Sequence, residues 1–130
     1  MKIGDVSAKT GLSIDTLRYY EKIGLIDPPP RSGGSRVYDD SILGWIGFLQ
    51  ALKSTGMPLS QMADYARLRR EGTATAAPRR LMLERQREAV RARIAELEDC
   101  LQLLDHKILN YEQIEAGHAV EDRRRTGTNR

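Results

Sequence analysis

A single cysteine, Cys100, stands among the 130 residues. It excludes an intramolecular disulfide framework and any zinc site built from several cysteines. No apolar run approaches the ~18–20 residues that a membrane span requires, and mean hydropathy is −0.51. The opening MKIGDVSAKTG lacks the apolar core of a secretory signal. A soluble, cytoplasmic protein without a membrane partner is therefore expected. The two histidines, His106 and His118, fall in different helix registers and are not expected to share a site within one chain. No Gly-rich phosphate loop, Ser/His/Asp arrangement or cluster of metal ligands appears, so an enzyme is rejected and no metal or cofactor is implied.

What the chain does have is charge, unevenly placed. Its net charge is +3. Residues 1–70 hold ten Lys/Arg against seven Asp/Glu, whereas residues 71–130 hold eleven of each. All the excess positive charge lies in the first half, where it would attract phosphates. The second half reads as a mixed-charge solvated helix. Tyr19, Tyr20 and Tyr38 are skewed likewise towards the first half, and tyrosine hydroxyls join Lys and Arg as phosphate-contacting groups.

Local signals divide residues 1–71 into short pieces. A helix over 3–10, with Ile3 and Val6 inward, should stop at Gly11. Ser13 reads as the cap of a second helix, roughly 14–23, with Leu17 and Tyr20 inward and Gly24 at its end. Two short helices around Gly11-Leu12 make a helix-turn-helix pattern. Pro28, Pro29 and Pro30 then exclude helix, and Gly33-Gly34 is a hairpin-turn dipeptide, which suggests a two-stranded wing flanked by Arg31 and Arg36. Asp39 or Asp40 should cap a third helix whose apolar positions (Ile42, Trp45, Ile46, Leu49, Leu52) follow the 3.6-residue period. Gly56 ends it, and Pro58-Leu59 opens a fourth helix to about Arg70.

Residues 72–77 read as a linker. Beyond them Val90, Ile94, Leu97, Leu101, Leu104, Ile108 and Tyr111 recur at alternating spacings of four and three, an unbroken heptad seam. A helix over 78–116 would be roughly 58 Å long at ~1.5 Å per residue. The N-terminal unit is too small to cover such a stripe, so the partner expected on it is a second copy of the chain in a coiled coil. Residues 117–130, with Arg123-Arg124-Arg125, are expected to be a disordered tail.

Ile3-Gly4-Asp5-Val6, the block Leu17-Arg18-Tyr19-Tyr20-Glu21-Lys22-Ile23-Gly24-Leu25-Ile26, Arg36-Val37-Tyr38 and Leu52-Lys53-Ser54-Thr55-Gly56-Met57-Pro58-Leu59 together resemble the MerR family of transcriptional regulators over about residues 1–116. The resemblance implies a mainly α fold: a winged helix-turn-helix DNA-binding domain and a long C-terminal dimerisation helix forming an antiparallel coiled coil. It also implies a function. A homodimer binds double-stranded promoter DNA whose −35 and −10 elements are too far apart, then bends and untwists it so that RNA polymerase can engage both. Arg18 is the candidate base-edge contact. Thr16, Tyr19, Arg31, Arg36 and Tyr38 are candidates for holding the DNA backbone, and Lys53 for a further phosphate contact.

Among the branches of the family, Leu104-Asp105-His106-Lys107-Ile108 and Tyr111-Glu112 look closest to the small aldehyde- and electrophile-responsive one. Metal-responsive members place cysteines at the start of the dimerisation helix, where this chain has Leu81, Met82 and Leu83. The electrophile-responsive branch commonly has a cysteine near the second wing, where this chain has Ser54. Cys100, at a g-type position beside the seam, is expected to be a buried or inert thiol, with a thiol sensor as the alternative. A small-molecule inducer remains a candidate partner of unspecified chemistry. The competing function is an architectural or excisionase-like DNA binder without signal sensing, against which the long heptad helix argues.

Overall fold

The computed structural model describes residues 1–124, apart from the side chains of Arg31, Ser32, Ser35 and residues 118–124. The chain divides into two units, Met1–Arg87 and Glu88–Arg130.

In the first unit each short helix starts and stops where the local chemistry demands. Helix α1 (Ile3–Thr10) begins with the Asp5 carboxylate accepting the Lys2 N–H at 3.2 Å. It ends at Gly11, whose φ of +77° is a left-handed value that glycine adopts without steric cost. The Ser7 hydroxyl donates to the Leu12 carbonyl at 2.6 Å and closes the turn. Ser13 caps helix α2 (Ile14–Lys22) as expected, accepting the Thr16 N–H at 3.0 Å. Leu17 and Tyr20 are buried beneath it.

The wing is a hairpin of β1 (Arg31–Ser32) and β2 (Ser35–Arg36), antiparallel, with Arg31 opposite Arg36 and Ser32 opposite Ser35. Gly33 and Gly34 have φ of +59° and +84°, the two positive values that a type I′ turn requires. The Tyr38 N–H donates to the Met1 carbonyl at 2.6 Å, anchoring the end of the wing beside α1. Helix α3 (Ser41–Ser54) follows, and of the two aspartates it is Asp39 whose carboxylate accepts the Ser41 N–H, at 3.0 Å. Pro58 precedes helix α4 (Leu59–Arg70). Val6, Leu17, Leu25, Ile26, Ile46, Leu49 and Met62 are the most deeply buried side chains. Each contributes on the order of 1.5–3 kcal/mol by leaving water.

Three boundaries differ from the sequence reading. The stretch 72–77 is folded rather than a free linker: Thr73–Thr75 is a 3-10 turn, and the buried Thr75 hydroxyl meets the Leu68 carbonyl and accepts from Arg79 Nε at 3.1 Å. A buried hydroxyl needs such partners, and they fix the turn. Secondly, the first unit does not stop at residue 71 but takes in the start of helix α5 (Ala76–Arg124). Leu83 packs on the core, and Gln86 Nε2 donates to Thr55 Oγ1 at 2.9 Å and to its carbonyl at 3.2 Å. Thirdly, α5 continues past 116 to Arg124, because one glycine costs a helix only about 1 kcal/mol and no proline follows Gly117. The rest of the expected tail, residues 125–130, lies outside the described residues.

The second unit is the remainder of α5. Its seam residues Ile94, Leu97, Leu101, Leu104, Ile108 and Tyr111 are all exposed, and Val90 is half-buried. No helix among the described residues is long and apolar enough to cross a membrane.

Candidate nucleic-acid interface

Burial of Leu17 and Tyr20 settles which side of α2 faces out. Asp15, Arg18, Tyr19 and Lys22, spaced three, four and seven residues from the first, share the opposite face, and all four are exposed. Tyr19 is 50% exposed, against 4% for Tyr20. The helix therefore offers outward two cations and a phenol while its inner face anchors it to the core.

Arg18, Lys22 and Arg36 line one shallow groove together with Ile3 and Glu21. Three cations thus surround a single carboxylate, leaving the groove net positive and suited to phosphate. The carboxylate has structural work to do. Glu21 forms an ion pair with Arg36 Nη1 through one oxygen and accepts the Tyr38 hydroxyl through the other. Its side chain is 8% exposed, so a charge there requires both partners. The pair ties the wing to α2 and sets where the Arg36 guanidinium stands.

Tyr38 departs from its expected role. It is buried, and its hydroxyl is already committed to Glu21. Burial first, and then the hydrogen bond to Glu21 and its charge, push the Tyr38 hydroxyl up to about 12. It stays a protonated donor to Glu21 and supports the wing from beneath. The aromatic ring explains this: following the wing directly, it is the apolar group available to cover the core there.

The other expected residues are distributed as follows. Thr16 is half-buried, and its Oγ1 accepts from Ser13 Oγ at 2.9 Å, leaving its own proton to donate. Lys53 is exposed in the last turn of α3 and does not line the Arg18 groove. Arg31 contributes its backbone to β1, while its side chain lies outside the described residues. Cys100 is exposed in the single chain.

Sequence reasoning passed over Glu21 and Lys22. Both carried a readable signal. Glu21 follows Leu17 by four positions, so it sits at the edge of the buried stripe, where a carboxylate demands partners. Lys22 follows Arg18 by four and so joins its outward face. Arg70 was passed over too: its Nη1 donates to the Gly24 carbonyl at 2.8 Å and to Asp27 Oδ1 at 3.3 Å, pinning the chain that leads from α2 to the wing.

Comparison with known proteins agrees with this geometry. The family model described as MerR HTH family regulatory protein matches residues 1–69, and the one described as MerR, DNA binding matches residues 43–107. An uncharacterized HTH-type transcriptional regulator of Haemophilus influenzae is 38% identical, over 87% of this chain and 84% of that protein. The HTH-type transcriptional regulator AdhR of Bacillus subtilis is 39% identical, over 67% of this chain and 64% of that protein. Among solved structures, a MerR family transcriptional regulator from Listeria monocytogenes superposes with a TM-score of 0.85 at 38% identity, covering 94% of this chain and 95% of that one. HiNmlR, a MerR family regulator lacking the sensor domain and bound to promoter DNA, gives a TM-score of 0.78 at 35% identity, covering 88% and 92%.

Proposed function

The chain belongs to the MerR family and is a DNA-binding transcriptional regulator, and from that premise we propose that it acts as a homodimer on a promoter whose −35 and −10 elements lie too far apart. It bends and untwists the spacer so that RNA polymerase engages both elements. The observation that carries this reading is the groove shared by Arg18, Lys22 and Arg36 beside exposed Tyr19. α2 lies in the major groove with Arg18 at a base edge, and Tyr19, Lys22 and Thr16 hold the adjacent phosphates. Arg36 and Arg31 reach the flanking backbone from the wing, and Lys53 adds a phosphate contact from the end of α3.

The second copy is held by the seam from Val90 to Tyr111, pairing with itself as an antiparallel coiled coil. The exposure of its leucines and isoleucines in the single chain supports this, because that much aligned apolar surface is unfavourable in water. A two-fold protein reads a two-fold operator. Distorting a 20–30 bp site costs roughly 1–6 kcal/mol, which charge-assisted phosphate contacts from two subunits can offset.

A gel shift with salt titration on the DNA flanking the protein's own gene tests the reading. Tight, sequence-selective binding that weakens steeply with salt is expected. In transcription with purified RNA polymerase, a promoter with its spacer shortened to ordinary length should no longer respond to the protein. Weak binding, equal on all sequences, would instead favour the architectural alternative.

A further inference from the structure

Between the Pro28-Pro29-Pro30 segment and helices α3 and α4 lies a cleft of about 200 Å³. Leu25, Ile42, Trp45 and Ala66 make it apolar within, and Arg69 and Arg70 bring two guanidinium groups to it. Its volume is below the ~300–1,000 Å³ usual for drug-sized ligands, so its occupant is small.

Most polar groups lining the cleft are already engaged. Trp45 Nε1 donates to the Leu25 carbonyl at 2.8 Å. Arg70 is held by Gly24 and Asp27, which also neutralises Asp27. The Asp39 carboxylate accepts the Ser41 N–H. Arg69 differs. Its guanidinium carbon lies 4.2 Å from the centroid of the Trp45 ring, yet it makes no hydrogen bond or ion pair with any described residue. Stacking on the indole holds the group in place while its N–H donors remain unused. A planar fork of donors beside an apolar wall matches a carboxylate joined to an apolar body.

We propose that this cleft binds a small organic carboxylate, its apolar body against Ile42, Trp45 and Ala66 and its oxygens on Arg69. Tyr38 also lines the cleft, and it holds Glu21, which in turn holds Arg36. Occupancy is therefore felt at the wing and changes DNA affinity, a second step that rests on the promoter-binding reading above.

Trp45 is the only tryptophan in the chain, so its fluorescence reports on the cleft directly. The full chain, without DNA, is titrated with benzoate, with benzamide as the uncharged isostere and with inorganic phosphate as the anion lacking an apolar body. A saturable change with benzoate is expected, at least about tenfold weaker with either control. Arg69→Gln should abolish it; the side chain is exposed, so the fold is retained, as circular dichroism would check. No saturable response to benzoate, an equal response to benzamide or phosphate, or an undiminished response in Arg69→Gln each overturns the site. Saturating benzoate is then added to the gel shift, where a change in Kd of about threefold or more is expected. Unchanged DNA affinity with benzoate bound overturns the regulatory step. Benzoate binding by a protein that shifts no DNA counts against the promoter reading and leaves the carboxylate site standing.

Discussion

The hydroxyl of Tyr38 donates to the buried carboxylate of Glu21 across seventeen positions of sequence. This bond joins the two elements proposed above to meet DNA together, the outward helix α2 and the wing. Glu21 belongs to the same helix as Arg18, and Arg36 sits on Glu21 from the wing side. One carboxylate thus fixes the spacing between the cation of the helix and the cation of the wing. Removing the Tyr38 hydroxyl by Tyr38→Phe should cost about 1.5–3 kcal/mol, the usual worth of a hydrogen bond to a charged group. Urea unfolding measures it. An unchanged midpoint would show that Arg36 alone satisfies Glu21.

The same bond makes a pH prediction. The Tyr38 hydroxyl is raised from its ordinary value of 10.0 to about 12. The folded state therefore holds this proton more tightly than the unfolded one. Its contribution is full below pH 10, is lost as pH rises towards 12, and leaves neutral pH unaffected. Wild type should show a fall in stability over that window that is reduced in Tyr38→Phe. Parallel alkaline curves for the two proteins would contradict it.

Arg18→Ala should weaken operator binding by about 1–3 kcal/mol and relax sequence preference at the contacted position. Lys22→Ala should weaken binding on all sequences alike and lower the salt slope, as a phosphate contact does. Gel shifts on operator and scrambled DNA separate the two patterns. Neither substitution touches a buried residue, so thermal unfolding should stay within about 0.5 kcal/mol of wild type.

Leu101→Asp places a charge in the middle of the seam. We expect sedimentation to report a monomer, with the Met1–Arg87 unit still folded by near-ultraviolet dichroism of Trp45, which lies in that unit. A dimer that persists would move the assembly surface off the Val90-to-Tyr111 seam.

Thr75→Val keeps the shape of the side chain but removes the hydroxyl that meets Leu68 and Arg79. A loss of about 1–2 kcal/mol is expected, since the hydroxyl's hydrogen bonds to Leu68, Gly72 and Arg79 are lost together. Hydrogen exchange over residues 72–77 should rise along with it. No change in either would return this stretch to the free linker suggested by its composition.

Periodicity and punctuation were sufficient for the elements themselves. Ser13, Gly11, Gly33-Gly34 and the heptad leucines each act through their immediate neighbours, by capping, by permitting a positive φ or by recurring on one face. Such local effects can be read one residue at a time, and helices α1 to α4, the hairpin and the long α5 follow from them. The exposed identity of Tyr19 and the buried one of Tyr20 follow as well, because Leu17 fixes the inward direction of α2.

Only the tertiary structure decided what depends on residues far apart in sequence. Tyr38 reads as one more phenol among basic residues until the fold buries its ring and brings Glu21 to its hydroxyl. Residues 72–77 are small and polar enough for a linker until Leu68 and Arg79 meet Thr75. Arg69 is an ordinary basic residue at the end of α4 until Trp45, from another helix, comes under its guanidinium. In each case a polar group takes its role from a partner that burial supplies. Burial belongs to the packed whole, whereas caps, turns and helical faces belong to the segment that carries them.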